Sequence, residues 1–323
     1  MNAINRRGFF TGIGSVLAMP AMAQEAYPSR SVRIIVPFAA GGGADAVARA
    51  LAQKLSERMG QQFVVDNRPG GAGNIGTEAA IRAAPDGYTL LLTGPSHVTN
   101  AHLFRQLPFD PLRGFAPISL LTAAPYVLVA NPMLNARDFR ELLALARTSS
   151  QPLSYGSAGN GTAGHLAMEM IKAEAQVDLV HVPYRGSPPL LTDLMAGRIA
   201  VAFDNVLSSS PAIAAGQLRA LAVSGRARAP SLPQVPTISE TGLPGFDVTV
   251  WQGALFPAGV EPAIINRLAA EMALAMQASD MRARLTALGV EPIGSSPAQF
   301  SGFLAQEHQR WGDVIRRSGA QVD

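Results

Sequence analysis

A chain of 323 residues, 48% hydrophobic and 15% charged, is long and apolar enough for two domains with cores of their own, which excludes a disordered protein. The formal charge is +3; with Arg6 and Arg7 assigned to a leader, 24 basic residues face 23 acidic ones, and no run of Lys and Arg interleaves with aromatics, so no nucleic-acid-binding face is expected. The absence of cysteine rules out disulfides, thiolate nucleophiles and zinc–sulfur sites.

Residues 1–23 read as an export signal. Arg6-Arg7 precede Phe9-Phe10, a short apolar run continues through Val16 and Leu17, and Ala21-Met22-Ala23 stands before Gln24. The paired arginines resemble a twin-arginine leader, the apolar run is too short to span a bilayer, and a periplasmic location is expected. Val32 to Val36 is predicted as the first strand. The helix after Asp45 carries Val47, Leu51, Leu55 and Met59 at fourfold spacing and stops at Gly60. Phe63 to Val65 and Tyr88 to Leu92 supply two more strands of one open sheet. No charge occurs from Gly114 to Asn135, but Pro117, Pro125 and Pro132 break that stretch, and it predicts two buried strands, 118–121 and 126–129.

From Tyr126 a second strand–helix series is expected: helix Asp138 to Arg147, strand Leu153 to Gly156, a helix from Thr162, strand Leu179 to Val182, a helix to Gly197 and strand Ile199 to Phe203. Pro230, Pro233 and Pro236 mark an exposed connection. Strand Val248 to Phe256 and two long helices follow, the last with Phe300, Phe303, Leu304, Trp311, Val314 and Ile315 on one core-facing stripe. The alternation predicts an α/β protein of two open sheets with flanking helices, joined by a two-strand hinge. The first lobe takes residues 24–124 and 226–323, the second 125–225, with a ligand held beyond the strand ends between them.

Two loops are candidate anion cradles. Pro37-Phe38-Ala39-Ala40-Gly41-Gly42-Gly43-Ala44-Asp45 joins the first strand to the first helix; its glycines let backbone approach a ligand, and a helix start offers unpaired N–H groups. Ala44-Asp45 stands where a phosphate loop needs Lys and then Ser or Thr. Ser157-Ala158-Gly159-Asn160-Gly161-Thr162 repeats the arrangement in the second series. Gly71-Ala72-Gly73-Asn74-Ile75-Gly76 matches the dinucleotide fingerprint but lacks the acidic residue about twenty positions on, so a loop at the cleft rim is expected and no cofactor is. Gly94-Pro95-Ser96-His97 lacks the last glycine of a nucleophile elbow, and the histidines show no metal-ligand spacing. Asp204, at a strand end, fits a ligand contact or a helix cap before Leu207 equally.

Tyr27-Pro28-Ser29-Arg30, Val36-Pro37-Phe38-Ala39-Ala40-Gly41-Gly42-Gly43, Asn67-Arg68-Pro69-Gly70, Gly73-Asn74-Ile75-Gly76, Ala84-Pro85-Asp86-Gly87-Tyr88 and His181-Val182-Pro183-Tyr184 together resemble the tripartite tricarboxylate transporter receptor family, the Bug proteins of Bordetella-like bacteria. The resemblance covers the whole mature chain. It implies a periplasmic receptor of the two-lobed type II binding-protein fold that delivers a small carboxylate to a membrane transporter and performs no catalysis, expected here as a monomer. It further implies that main-chain amides of the two loops hold the carboxylate. The candidate contacts are Phe38, Ala40, Gly41, Gly42, Gly43, Ala44 and Asp45, then Ser157, Ala158, Gly159, Asn160, Gly161 and Thr162, with Thr93, Ser96 and Asp204 beside them. Pro95 and His97 depart from the family's usual run of small polar residues. A sensory role without a transporter remains an alternative, and a hydrolase or dinucleotide enzyme a more distant one.

Overall fold

The computed structural model describes residues 27–318 apart from residue 288, so the expected leader lies outside the described residues. The first unit runs β1 (Val32–Val36), α1 (Gly43–Met59), β2 (Phe63–Asn67), α2 (Asn74–Ile81), β3 (Thr89–Thr93) and α3 (Ser96–Leu103). β1 pairs in parallel with β2 and β3. Ile34, Ile35 and Leu90 to Leu92 have no exposed surface, because helices cover both faces of a parallel sheet and its central strands become continuous apolar runs. α1 buries Val47, Leu51 and Leu55 and ends where Gly60, at φ 70°, donates its N–H to the Ser56 carbonyl.

Where two short strands were expected, the chain makes one, the 16-residue β4 (Phe115–Ala130). It is followed by α4 (Phe139–Thr148), β5 (Leu153–Ser157), α5 (Ala163–Ala175), β6 (Leu179–Pro183), α6 (Ser187–Met195), β7 (Val201–Asn205), α7 (Val206–Ala214), β8 (Arg219–Val223) and α8 (Ile238–Thr241). β9 (Thr249–Pro257), α9 (Pro262–Gln277), α10 (Ser279–Ala287), β10 (Glu291–Pro292) and α11 (Pro297–Ser318) complete the order, with three helices after β9 rather than two. The sheet order is β2-β1-β3-β9-β4-β7-β5-β6, with β10 and β8 also pairing to β4.

The prolines that suggested a break in β4 instead mark where its ladder changes. The pairing with β9 shifts register between Pro117 and Ser119, and Pro125, opposite Thr249, is the last residue paired to β9 before Tyr126 begins the pairing with β7. A proline donates no ladder hydrogen bond, so bulges and ladder ends are the places a strand tolerates it. The two expected sheets therefore exist but share a strand. The return crossing lies alongside: Tyr126 N–H donates to Ser224 Oγ at 2.8 Å, and Val248 N–H to the Ser224 carbonyl at 2.9 Å. α8, between these crossings, packs on α4 and β8. In α11, Phe300, Leu304, Trp311 and Ile315 are buried as expected, and the indoles of Trp251 and Trp311 both donate to Glu307 Oε2 at 3.1 Å. No described helix is long and apolar enough to cross a membrane.

Candidate ligand-binding site

A cavity of about 70 Å³ lies between the two units, space for roughly five water molecules. Five helices begin at its wall: α1 at Gly42 to Ala44, α3 at Gly94 to Ser96, α5 at Thr162 to Gly164, α6 at Gly186-Ser187 and α7 at Asp204-Asn205. Each helix start carries N–H groups without intrahelical partners and a partial positive charge. Among the described residues, no Lys, Arg or His lines the cavity, and Asp204 is its only carboxylate. An anion placed there would meet backbone N–H groups and the neutral side chains of Ser96, Thr162, Ser187, Asn205 and Gln252.

Asp204 is 1% exposed. Its Oδ1 accepts from Ser187 Oγ at 2.6 Å and Asn205 Nδ2 at 3.3 Å, and its Oδ2 from Ser209 Oγ at 3.2 Å. Burial pushes its carboxyl up to about 6, with the hydrogen bonds acting in the opposite sense. The helix cap falls to its neighbour, since Asn205 Oδ1 accepts from Ser208 N–H at 2.8 Å.

Of the residues singled out in the sequence, Phe38, Gly42, Gly43, Ala44, Ser96, Ala158, Thr162 and Asp204 line this cavity. Gly159 and Asn160 line a second, outer cavity of about 380 Å³ that shares Phe38 and Ala158 with the first. Ala40, Gly41, Asp45, Thr93, Ser157 and Gly161 line neither. Asp45 turns back on its own loop: its Oδ2 accepts from Gly41 N–H at 2.8 Å and Arg49 Nε at 2.9 Å. Burial opposes the charge, but those hydrogen bonds hold the carboxyl below its ordinary value. Ser157 braces the other loop, 2.7 Å from His181 Nε2 and donating to the Gly159 carbonyl at 3.0 Å. His165 stacks on His181 at 4.0 Å and its Nδ1 accepts from Gly161 N–H at 3.1 Å; burial holds both imidazoles below their ordinary value, which leaves His165 Nδ1 free to accept. Thr93, at the end of β3, is fully buried, with Oγ1 unpartnered among the described residues.

Gly161 reaches across the cleft, its carbonyl accepting from Thr99 Oγ1 of α3 at 2.8 Å. The glycine loop does the same from the other side. A Cβ on Gly43 would stand 2.4 Å from Asn205 Oδ1, and Cβ atoms on Gly41 and Gly42 would meet Pro188 at 3.6 and 3.8 Å. These glycines thus admit the opposite lobe.

Sequence reasoning missed Tyr126, Gly186, Ser187, Phe203, Asn205, Val250, Trp251 and Gln252 in the cavity wall. Gly186-Ser187-Pro188-Pro189 carried a readable signal, prolines in the first helical turn. Tyr126 stacks on Phe203 at 5.4 Å, a pairing fixed by the β4–β7 register and by nothing local. The fingerprint glycines Gly71 to Gly73 form a short 3-10 turn on the outer cavity. His97 turns away, 2.8 Å from the Pro111 carbonyl and packed on Phe109 and Phe115, so it is no base for Ser96. No metal-binding cluster occurs among the described residues.

The profile described as "Tripartite tricarboxylate transporter family receptor" matches residues 47–320. Protein BugT of Bordetella pertussis is 35% identical, over 95% of this chain and 94% of its own. The solved structure of periplasmic binding protein BugD is 31% identical and superposes with a TM-score of 0.88 over 91% of this chain and 99% of that one. R. palustris Rpa4515, solved with adipate, is 35% identical at a TM-score of 0.89, covering 92% of this chain and 100% of that one. The chain belongs to the tripartite tricarboxylate transporter receptor family, in its Bug branch, and has the two-lobed fold of periplasmic binding proteins.

Proposed function

We propose that the protein captures a small carboxylate between its lobes in the periplasm and hands it, chemically unchanged, to the membrane subunits of a tripartite tricarboxylate-type transporter. The observation that carries this reading is the convergence of five helix starts on one cavity that no Lys, Arg or His enters among the described residues. A helix start favours an anion by roughly 0.3–1 kcal/mol, and each hydrogen bond to a charged group adds about 1.5–3 kcal/mol. A few such bonds reach micromolar affinity, about −8.2 kcal/mol, after association costs of several kcal/mol. The adipate held by the R. palustris relative is a ligand of this class.

In this reading residues 1–23 are the export signal and the mature monomer divides into 24–124 with 226–323 and 125–225. The lobes close on the ligand because both loops can contact it only when together. Protein unfolded and refolded to remove bound ligand should melt higher with a suitable acid, by about 2.7 kcal/mol of stabilisation at a hundredfold excess over Kd. A panel of aliphatic, aromatic and amino acids, adipate included, that left the transition unmoved would remove the receptor reading.

A further inference from the structure

Among the described residues the outer cavity carries one charged side chain, Arg185, the residue before the Gly186-Ser187 start of α6. Arg185 is exposed and makes no ion pair or hydrogen bond with the described residues. The rest of the outer wall is neutral, with Pro69 to Gly73 and Ile75 on one side and Ala158 to Asn160 on the other. Phe38 and Ala158 belong to both cavities and stand between them. Among the described residues, Arg185 is the charged residue of the second cavity and Asp204 that of the first, with Phe38 and Ala158 common to the two walls.

We propose that Arg185 is an entrance residue, which draws an anionic ligand into the outer cavity and releases it past Phe38 and Ala158 to the helix starts without holding it in the closed state. The assignment rests on the receptor reading above. An exposed guanidinium acts on an approaching anion through water, so its effect is long-ranged, sensitive to salt and felt in association; groups that touch the bound ligand act on dissociation. Arg185 lines the outer cavity alone, which places it on the path and outside the inner site.

Stopped-flow tryptophan fluorescence tests this on the full mature chain with adipate, malate, glutamate and benzoate as probes, using every probe that raises the melting temperature. For Arg185→Gln the association rate should fall roughly two- to fivefold at about 10 mM salt, with dissociation unchanged, and the two proteins should converge at about 0.5 M salt. Arg185→Lys should restore the rate, since it keeps the charge. If Arg185→Gln instead speeds dissociation, the arginine holds the bound ligand and the entrance role is wrong. If neither rate changes, Arg185 is a solvated cation or serves a membrane partner, and the proposal fails while the receptor reading stands. If no probe binds either protein, both fall together.

Discussion

Asp204 places a carboxylate where an anionic ligand is expected, so its charge state decides how well the two coexist. Its burial raises the carboxyl to about 6. Above that pH the site holds a negative charge and repels an incoming carboxylate; below it, the neutral acid does not. Affinity for a fully ionised acid should therefore rise as pH falls from 7.5 to 5.5, and Asp204→Asn should flatten the dependence in calorimetric titrations. The same group bears on stability with a definite sign. A carboxyl raised above its unfolded value favours the native state below the unfolded pKa, and that contribution is lost as pH rises through the folded one. At pH 7 the loss amounts to roughly 3 kcal/mol before relaxation. Asp204→Asn should gain on the parent between pH 4 and 7 in denaturant titrations, whereas parallel profiles would mean that the carboxyl titrates normally.

At the scale of elements, α1 was legible because one fourfold apolar stripe, an acidic first turn and Gly60 agree within a single segment. β4 was misread because a proline is a local signal, while the tolerance of Pro117 and Pro125 depends on where β9 shifts register and β7 takes over. Two of the five helix starts were visible as glycine-rich loops. Ser96 and Asp204 stood at two more, those of α3 and α7; that of α6 was passed over although Pro188 and Pro189 signalled a helix start, since Gly186-Ser187 lacks such a run. Caps separate local from functional roles. Thr162 caps α5, accepting from His165 N–H at 3.4 Å and donating to the Gly159 carbonyl at 2.8 Å; Asp138 caps α4 through Glu141 N–H at 2.8 Å, outside both cavities. Thr162→Ala and Asp138→Ala should each cost about 1 kcal/mol of stability in urea titrations. Only the former should weaken carboxylate binding, because its loop carries the Gly161 contact to Thr99. Equal binding by the two variants would show that the second loop is a connector.

For the whole molecule, Gly43 lies against Asn205, whose amide is fixed on one side by Ser208 and on the other by Ser187 at 3.2 Å, and the proposed closure depends on that contact. Gly43→Val puts a branched side chain into that contact. The unliganded variant should melt near the parent, bind carboxylate at least about tenfold more weakly, and keep its radius of gyration in small-angle scattering when ligand is added, while the parent contracts. A variant that contracts and binds like the parent would make the loop a simple turn. The shared strand β4 would set the character of the proposed movement. A pin joint lets two bodies swivel; β4 is a beam running through both, with the chain at Ser224 lashed beside it. If the lobes move on ligand binding as proposed, a beam through both should bend first where its bracing changes hands, at Pro125, the last residue paired to β9 before β7 takes over at Tyr126.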